Sequence, residues 1–179
     1  MTDDLTTRYD GVLERTAEGG IIRFERHLAY DVHDVWDAIT SAARLADWWL
    51  PFDAEITVDL REGGEMVFAG RPDGEPMTMT CTILRLEPPR LFEHTHPAPG
   101  SSMRWELEAA GTGCTLRLTH TVPDVQEATD RCYLVGLQAS LARLEPCLAG
   151  RPEPWDWGAF AVAQAHYAGL GLAAPVEAS

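Results

Sequence analysis

The sequence predicts an α+β fold in which an antiparallel sheet packs against a long C-terminal helix. Three observations point to it. A strand over Phe24 to Tyr30 runs without a linker into two short helical patterns, a long series of alternating strands follows, and residues 125–149 carry a leucine stripe. A chain of 179 residues with no composition break suits one domain, 1–179, with a sizeable core. Within it we expect an N-terminal segment and hairpin strand over 1–20, the core over 21–150 and an extension over 151–179.

Residues 2–8 are polar and expected to fray. Val12 to Thr16 and Ile21 to Tyr30 read as a hairpin turning at Glu18-Gly19-Gly20, where a Gly pair supplies the positive φ of such turns. Asp31 caps the next helix, with Asp34 in its first turn. Val32, Val35, Trp36 and Ile39 fall at helical spacing on one stripe. Ser41 is a second cap, Leu45, Trp48 and Trp49 share a face, and Pro51 stops that helix.

Ala54 to Leu60 reads as a strand, Arg61-Glu62-Gly63-Gly64 as the turn into Glu65 to Ala69, and Arg71-Pro72-Asp73-Gly74 as the next turn. Alternation then becomes informative, because a strand with one buried face repeats every second residue. Met77, Met79, Cys81 and Ile83 face one way. After Pro88-Pro89, Phe92, His94 and His96 do the same, followed by Met103, Trp105 and Leu107, and then by Cys114, Leu116, Leu118 and His120. Arg104, Glu106, Glu108 and Arg117 lie on the wet face and are expected to form surface pairs worth little.

Val125 to Ala149 reads as one long helix with Leu134, Leu137, Leu141, Leu144 and Leu148 on a stripe. Pro146 tightens its last turn, and Gly150 and Pro152 end it. A further helix is expected near Gly158 to Leu170, with Phe160, Ala163, Gln164 and Tyr167 on one face.

Five segments in register carry a family resemblance: RFERHLAYDVHDVWDAITSAARLADWW, DLREGGEMVF, LEPPRLFEHT, MRWELE and TLRLTHT. Together they span roughly residues 20 to 150 and resemble the START-like, or SRPBCC, superfamily, in the branch named after the activator of the heat-shock-protein-90 ATPase. The resemblance implies a helix-grip fold, a curved antiparallel sheet of about six to eight strands around the C-terminal helix. It also implies a space between sheet and helix. Where relatives often read Gly-Trp-His in the last helix, this chain has Gly136-Leu137-Gln138; where they often carry Trp after a strand Thr, it has Thr95-His96.

In such a fold the inward residues either fill the space or line it. The candidate ligand-binding set is Met66, Phe68, Met77, Met79, Cys81, Phe92, His94, Met103, Trp105 and His120, with Trp48, Trp49 and Phe52 at the rim. The expected guest is small and apolar or amphipathic, in a cavity of roughly 300 to 1,000 Å³ with adaptable thioethers on its wall. His94, His96 and His120 are the candidates for catalysis. Three imidazoles could hold zinc and leave a position for water. No carboxylate is placed behind them and the resemblance implies no metal, so neither metal nor cofactor is expected. The functional expectation is a START-like binding protein. A cyclase or hydratase using a pocket His and a co-chaperone-like interaction protein are the alternatives, and whether any reaction is catalysed stays open.

Fourteen basic against twenty-eight acidic residues give a net charge of −14. That balance disfavours nucleic acid and anionic membrane surfaces, and leaves a homodimer open. Residues 1–8 hold no signal-peptide core, and no run of about 18 apolar residues occurs to span a bilayer. We expect a cytoplasmic protein without membrane insertion. Cys81, Cys114, Cys132 and Cys147 lack C-x-x-C spacing and read as small buried hydrophobes. No nucleophile elbow, zinc-protease motif, P-loop or dinucleotide fingerprint is present.

Overall fold

A computed structural model describes residues 10–176; the stretch 2–8, expected to fray, lies outside the described residues. Eight strands form one antiparallel sheet: β1 (Val12–Thr16), β2 (Gly19–Leu28), β3 (Ala54–Val58), β4 (Glu65–Gly70), β5 (Met77–Glu87), β6 (Leu91–Thr95), β7 (Ser102–Ala110) and β8 (Gly113–Val122). Their spatial order is β1-β2-β8-β7-β6-β5-β4-β3, so β3 to β8 run as a meander and the first hairpin joins its far edge. In β5 the register shifts between Ile83 and Arg85. An irregularity of this kind bends a strand and increases its twist.

Helices α1 (Val32–Thr40) and α2 (Ala42–Trp48) follow β2 directly. Asp31 caps α1 by accepting the His33 N–H at 2.8 Å. Ser41 occupies the cap of α2, but its hydroxyl makes no cap bond. The indole of Trp48 turns into the core and donates to the Ala38 carbonyl at 2.9 Å. Trp36 and Trp48 lie edge-on to Phe92 and Trp105, each with ring centroids 6.3 Å apart. The two short helices thereby cover part of the sheet's inner face.

The C-terminal helix departs from the expectation. It is two helices, α3 (Val125–Asp130) and α4 (Tyr133–Leu148), divided at Cys132, whose backbone is left-handed with φ 55°. Neither glycine nor proline marks the break. Its hydrogen bonds close α3 through Cys132 N–H to the Thr129 carbonyl at 3.0 Å and open α4 through Gly136 N–H to the Cys132 carbonyl at 2.9 Å. Leu134, Leu141 and Leu144 are buried as the stripe requires, and Pro146 sits inside α4 near its end.

A last helix, α5 (Trp157–Gly169), packs on α4 through buried Ala163 and Tyr167. The Tyr167 hydroxyl donates to Oε1 of buried Gln138 at 2.8 Å. Gln138 is one of the positions where this chain differs from the common family pattern. There the side chain holds the extension onto the core.

On the outer face Arg104 meets Glu93 and Glu106, and Arg117 meets Glu25 and Glu108. These exposed pairs contribute little. The four cysteines are free; Cys81, Cys114 and Cys147 are buried and Cys132 is half-buried. Among the described residues, no helix is long and apolar enough to cross a membrane.

Candidate functional site

The strand pairing determines which inward residues meet. Ile83 pairs with His94, His94 with Met103, Met103 with His120 and His120 with Ile22, so one row crosses five strands. The adjacent row pairs Phe92 with Trp105 and Trp105 with Leu118, and α1 and α2 pack against it. The first row faces a cavity of about 330 Å³ between the sheet, α4 and the segment leading into α5.

Seven residues of the expected set line this cavity: Trp49, Phe68, Met79, Cys81, His94, Met103 and His120. His96, expected only as a catalytic candidate, lines it too. The other six expected residues are elsewhere. Trp48, Met66, Phe92 and Trp105 are packed in the core, because inward direction on a strand does not tell helix-covered wall from open wall. Phe52 packs beside Gly70. Met77, at the start of β5, is 41% exposed.

Two walls escaped the sequence reading. Tyr133, Gly136, Leu137 and Ser140 form a single face of α4, and Trp155, Trp157 and Phe160 close the cavity from the extension. Two signals existed. Gly136 falls in the middle of the helix expected over 125–149, where glycine costs stability unless space is needed; it lies in the first turn of α4, and a Cβ added there would meet nothing within 4 Å. The other was the cluster of three aromatic residues, Trp155, Trp157 and Phe160, just beyond the helix-ending Gly150 and Pro152.

Arg143 places that aromatic cluster. Its guanidinium donates to the carbonyls of Asp47, Trp48 and Leu50 at the end of α2 and to that of Glu153, all within 2.8–3.0 Å. It also lies 5.8 Å from the Trp155 ring centroid. A cation among unpaired helix carbonyls is favourable, and the same group holds Trp155 against the cavity.

The hydrogen bonds define the state of each imidazole. Trp105 Nε1–H, which can only donate, gives its proton to Nε2 of His94 at 3.1 Å. Nδ1 of His94 must then carry the ring proton, which it donates to the Thr95 carbonyl at 2.8 Å. His96 Nδ1 accepts the Ala98 N–H at 3.2 Å, which puts its proton on Nε2. For His120, the Ser101 hydroxyl donates to the Thr121 carbonyl at 2.9 Å and lies 2.7 Å from Nε2. With its proton so used, Ser101 Oγ accepts from Nε2–H. Nδ1 of His120 is left as a bare lone pair, buried and without a partner.

All three rings are held neutral. Burial pushes His94 and His96 down to about 4 and His120 to about 3, from an ordinary 6.5, with mutual repulsion adding to the effect on His96 and His120. Burial likewise raises Cys81 to about 11, so its thiol stays protonated. His96, His120 and Tyr133 cluster: His120 stacks on Tyr133, while His96 lies tilted to His120, with centroids 4.6 Å apart, and edge-on to Tyr133. Among the described residues no set of three or more His, Cys, Asp or Glu is arranged to hold a metal ion.

A bent antiparallel sheet gripping a helix, with an apolar cavity between them, defines a START-like protein of the SRPBCC superfamily. Residues 29–149 match the family described as Activator of Hsp90 ATPase homolog 1-like protein, and the chain belongs to that family. Among solved structures, it is similar to CalU16 from Micromonospora echinospora, with 26% identity over 90% of this chain and 96% of that one and a TM-score of 0.70. A protein from Bordetella parapertussis shares 27% identity over 95% of each chain, with a TM-score of 0.66. A conserved protein of unknown function from Enterococcus faecalis shares the fold at 18% identity, covering 89% of each chain with a TM-score of 0.72. No curated protein matches the chain.

Proposed function

We propose that this protein binds one small, largely apolar molecule with a polar group, in the cavity between the sheet and α4. The observation that carries the reading is a space of about 330 Å³ walled by Trp49, Phe68, Met79, Met103 and Leu137, with a buried, unpartnered imidazole nitrogen among the lining residues. Its volume lies at the small end of the ~300–1,000 Å³ typical of drug-sized sites. Residues 151–176 act with the core as one domain, because they contribute a wall. With four free thiols, the protein works in the reducing cytoplasm.

Carriage or sensing is favoured over catalysis by the chemistry of the lining groups. A general base works best with a pKa near the operating pH, and all three imidazoles lie well below it. Both ring nitrogens of His94 are engaged within the protein. No observation at the site favours a co-chaperone role.

The test uses the space above Gly136. Titration with the neutral fluorescent dye Nile red should give saturable binding to the wild type and at least a tenfold loss in Gly136→Leu, whose Cβ meets nothing within 4 Å, with urea denaturation checking that the variant is folded. Equal binding by both proteins would sink the proposal.

A further inference from the structure

The polar contents of the cavity wall are unbalanced in a way that selects a guest. His120 is fully buried, and its one free ring position can only accept. A buried acceptor without a partner is costly, and a guest that supplies a donor removes that cost. Trp155 carries a second buried, unpartnered polar atom, its indole N–H. A pure hydrocarbon would satisfy neither.

The wall also discriminates by charge. Arg131 is the one cation among the described residues that line the cavity, and no carboxylate lines it. Its guanidinium pairs with Glu127 at 3.0 Å, and its side chain is 67% exposed at the rim. Arg143, beyond Trp155, is occupied by backbone carbonyls. An anionic headgroup driven inside would lose its water against neutral imidazoles and would face the lone pair of His120 Nδ1. A positively charged guest would likewise find no anion there.

We infer that the guest is an uncharged, apolar molecule bearing a hydroxyl group, an alcohol or phenol, whose O–H donates to Nδ1 of His120, a contact for which the side chains covering that buried nitrogen must shift aside. The inference rests on the binding reading above and narrows it to a chemical class. Ser101 is the positioning residue: by sending its own proton to Thr121, it holds His120 in the tautomer with Nδ1 bare. The Thr95-His96 variation adds an Nε2–H donor on a ring packed at a tilt beside His120, so the polar end can also receive the hydroxyl's oxygen.

The experiment compares three ligands on one frame, 4-phenylphenol, 4-methoxybiphenyl and biphenyl-4-carboxylate, titrated into the full chain and followed by tryptophan fluorescence. The phenol should bind about tenfold or more tighter than the ether, and the carboxylate weakest. His120→Gln keeps an N–H for Ser101 but lacks the Nδ1 acceptor; it should bring the phenol down to the ether's affinity and leave the ether within about twofold. Nitrogen chemical shifts of labelled histidine supply a readout without ligand: Nδ1 of His120 should be unprotonated, and Ser101→Ala should move it towards the other tautomer. A protonated Nδ1 in the wild type, equal binding of phenol and ether, or tightest binding of the carboxylate would each overturn the hydroxyl assignment while leaving a binding protein. Binding of none of the three, together with no uptake of Nile red, would overturn the binding reading and this inference with it.

Discussion

Trp105 donates its indole proton to Nε2 of His94 across neighbouring strands, 3.1 Å apart, and both residues are buried. The bond converts a candidate catalytic histidine into a fixed part of the wall. Its partner being an obligate donor, His94 cannot take a proton on Nε2 without breaking the pair.

Trp105→Phe should therefore leave an unpaired acceptor in the core. We expect a loss of roughly 1–3 kcal/mol beyond that of the packing change, measured by urea denaturation. His94→Phe leaves the Trp105 N–H unpaired in turn, so the double variant should cost less than the sum of the two single changes, and a double-mutant cycle gives the coupling.

Acid should destabilise the fold over a defined interval. The folded chain binds protons at His94, His96 and His120 less readily than the unfolded chain, whose imidazoles titrate near 6.5. Between those values the unfolded state holds more protons, so stability falls as pH drops below about 6.5 and this contribution levels off near pH 3. Above about pH 7 these groups give no slope. His94 alone supplies on the order of 3 kcal/mol. Urea midpoints at about pH 7.5 and about pH 4.5 check the sign, and His94→Phe should flatten the profile.

Replacing the guanidinium at 143 should loosen two regions together. Arg143→Met leaves the carbonyls of Asp47, Trp48, Leu50 and Glu153 without their donor. A cost of roughly 2–4 kcal/mol is expected, with faster hydrogen exchange at the end of α2 and around Trp155. Arg143→Lys should recover only part of it, since a single ammonium cannot reproduce the planar fork.

Cys132 holds a left-handed backbone that disfavours any side chain. Cys132→Gly should be neutral or stabilising by up to ~1 kcal/mol, whereas the β-branched Cys132→Val should lose about 1–2 kcal/mol. Thermal melts of the three proteins would show it.

These expectations also mark how far the chain could be read unaided. Two-residue alternation correctly turned Met103, Trp105, His94 and His120 inward, since it is a local property of a half-buried strand. It could not say that Trp36 and Trp48 would roof Phe92 and Trp105 while leaving Met103 and His120 facing a space, because that depends on contacts distant in sequence. The helix break at Cys132 was invisible for a different reason. It uses an ordinary residue in an uncommon conformation, held by hydrogen bonds at 129 and 136 rather than by glycine or proline. Leu137 and Gln138 were noted as departures from the common family pattern, but their roles, cavity lining and anchoring of Tyr167, follow only from where α5 packs.

The segment recognised as the family's common part ends at residue 149, whereas Trp155, Trp157 and Phe160 stand beyond it. The walls of the cavity are thus encoded in successive stretches of the gene, the sheet and α4 first and the aromatic closure after them, joined through Arg143. Such an arrangement lets the distal wall be reshaped by altering a few codons, with the β-framework left intact.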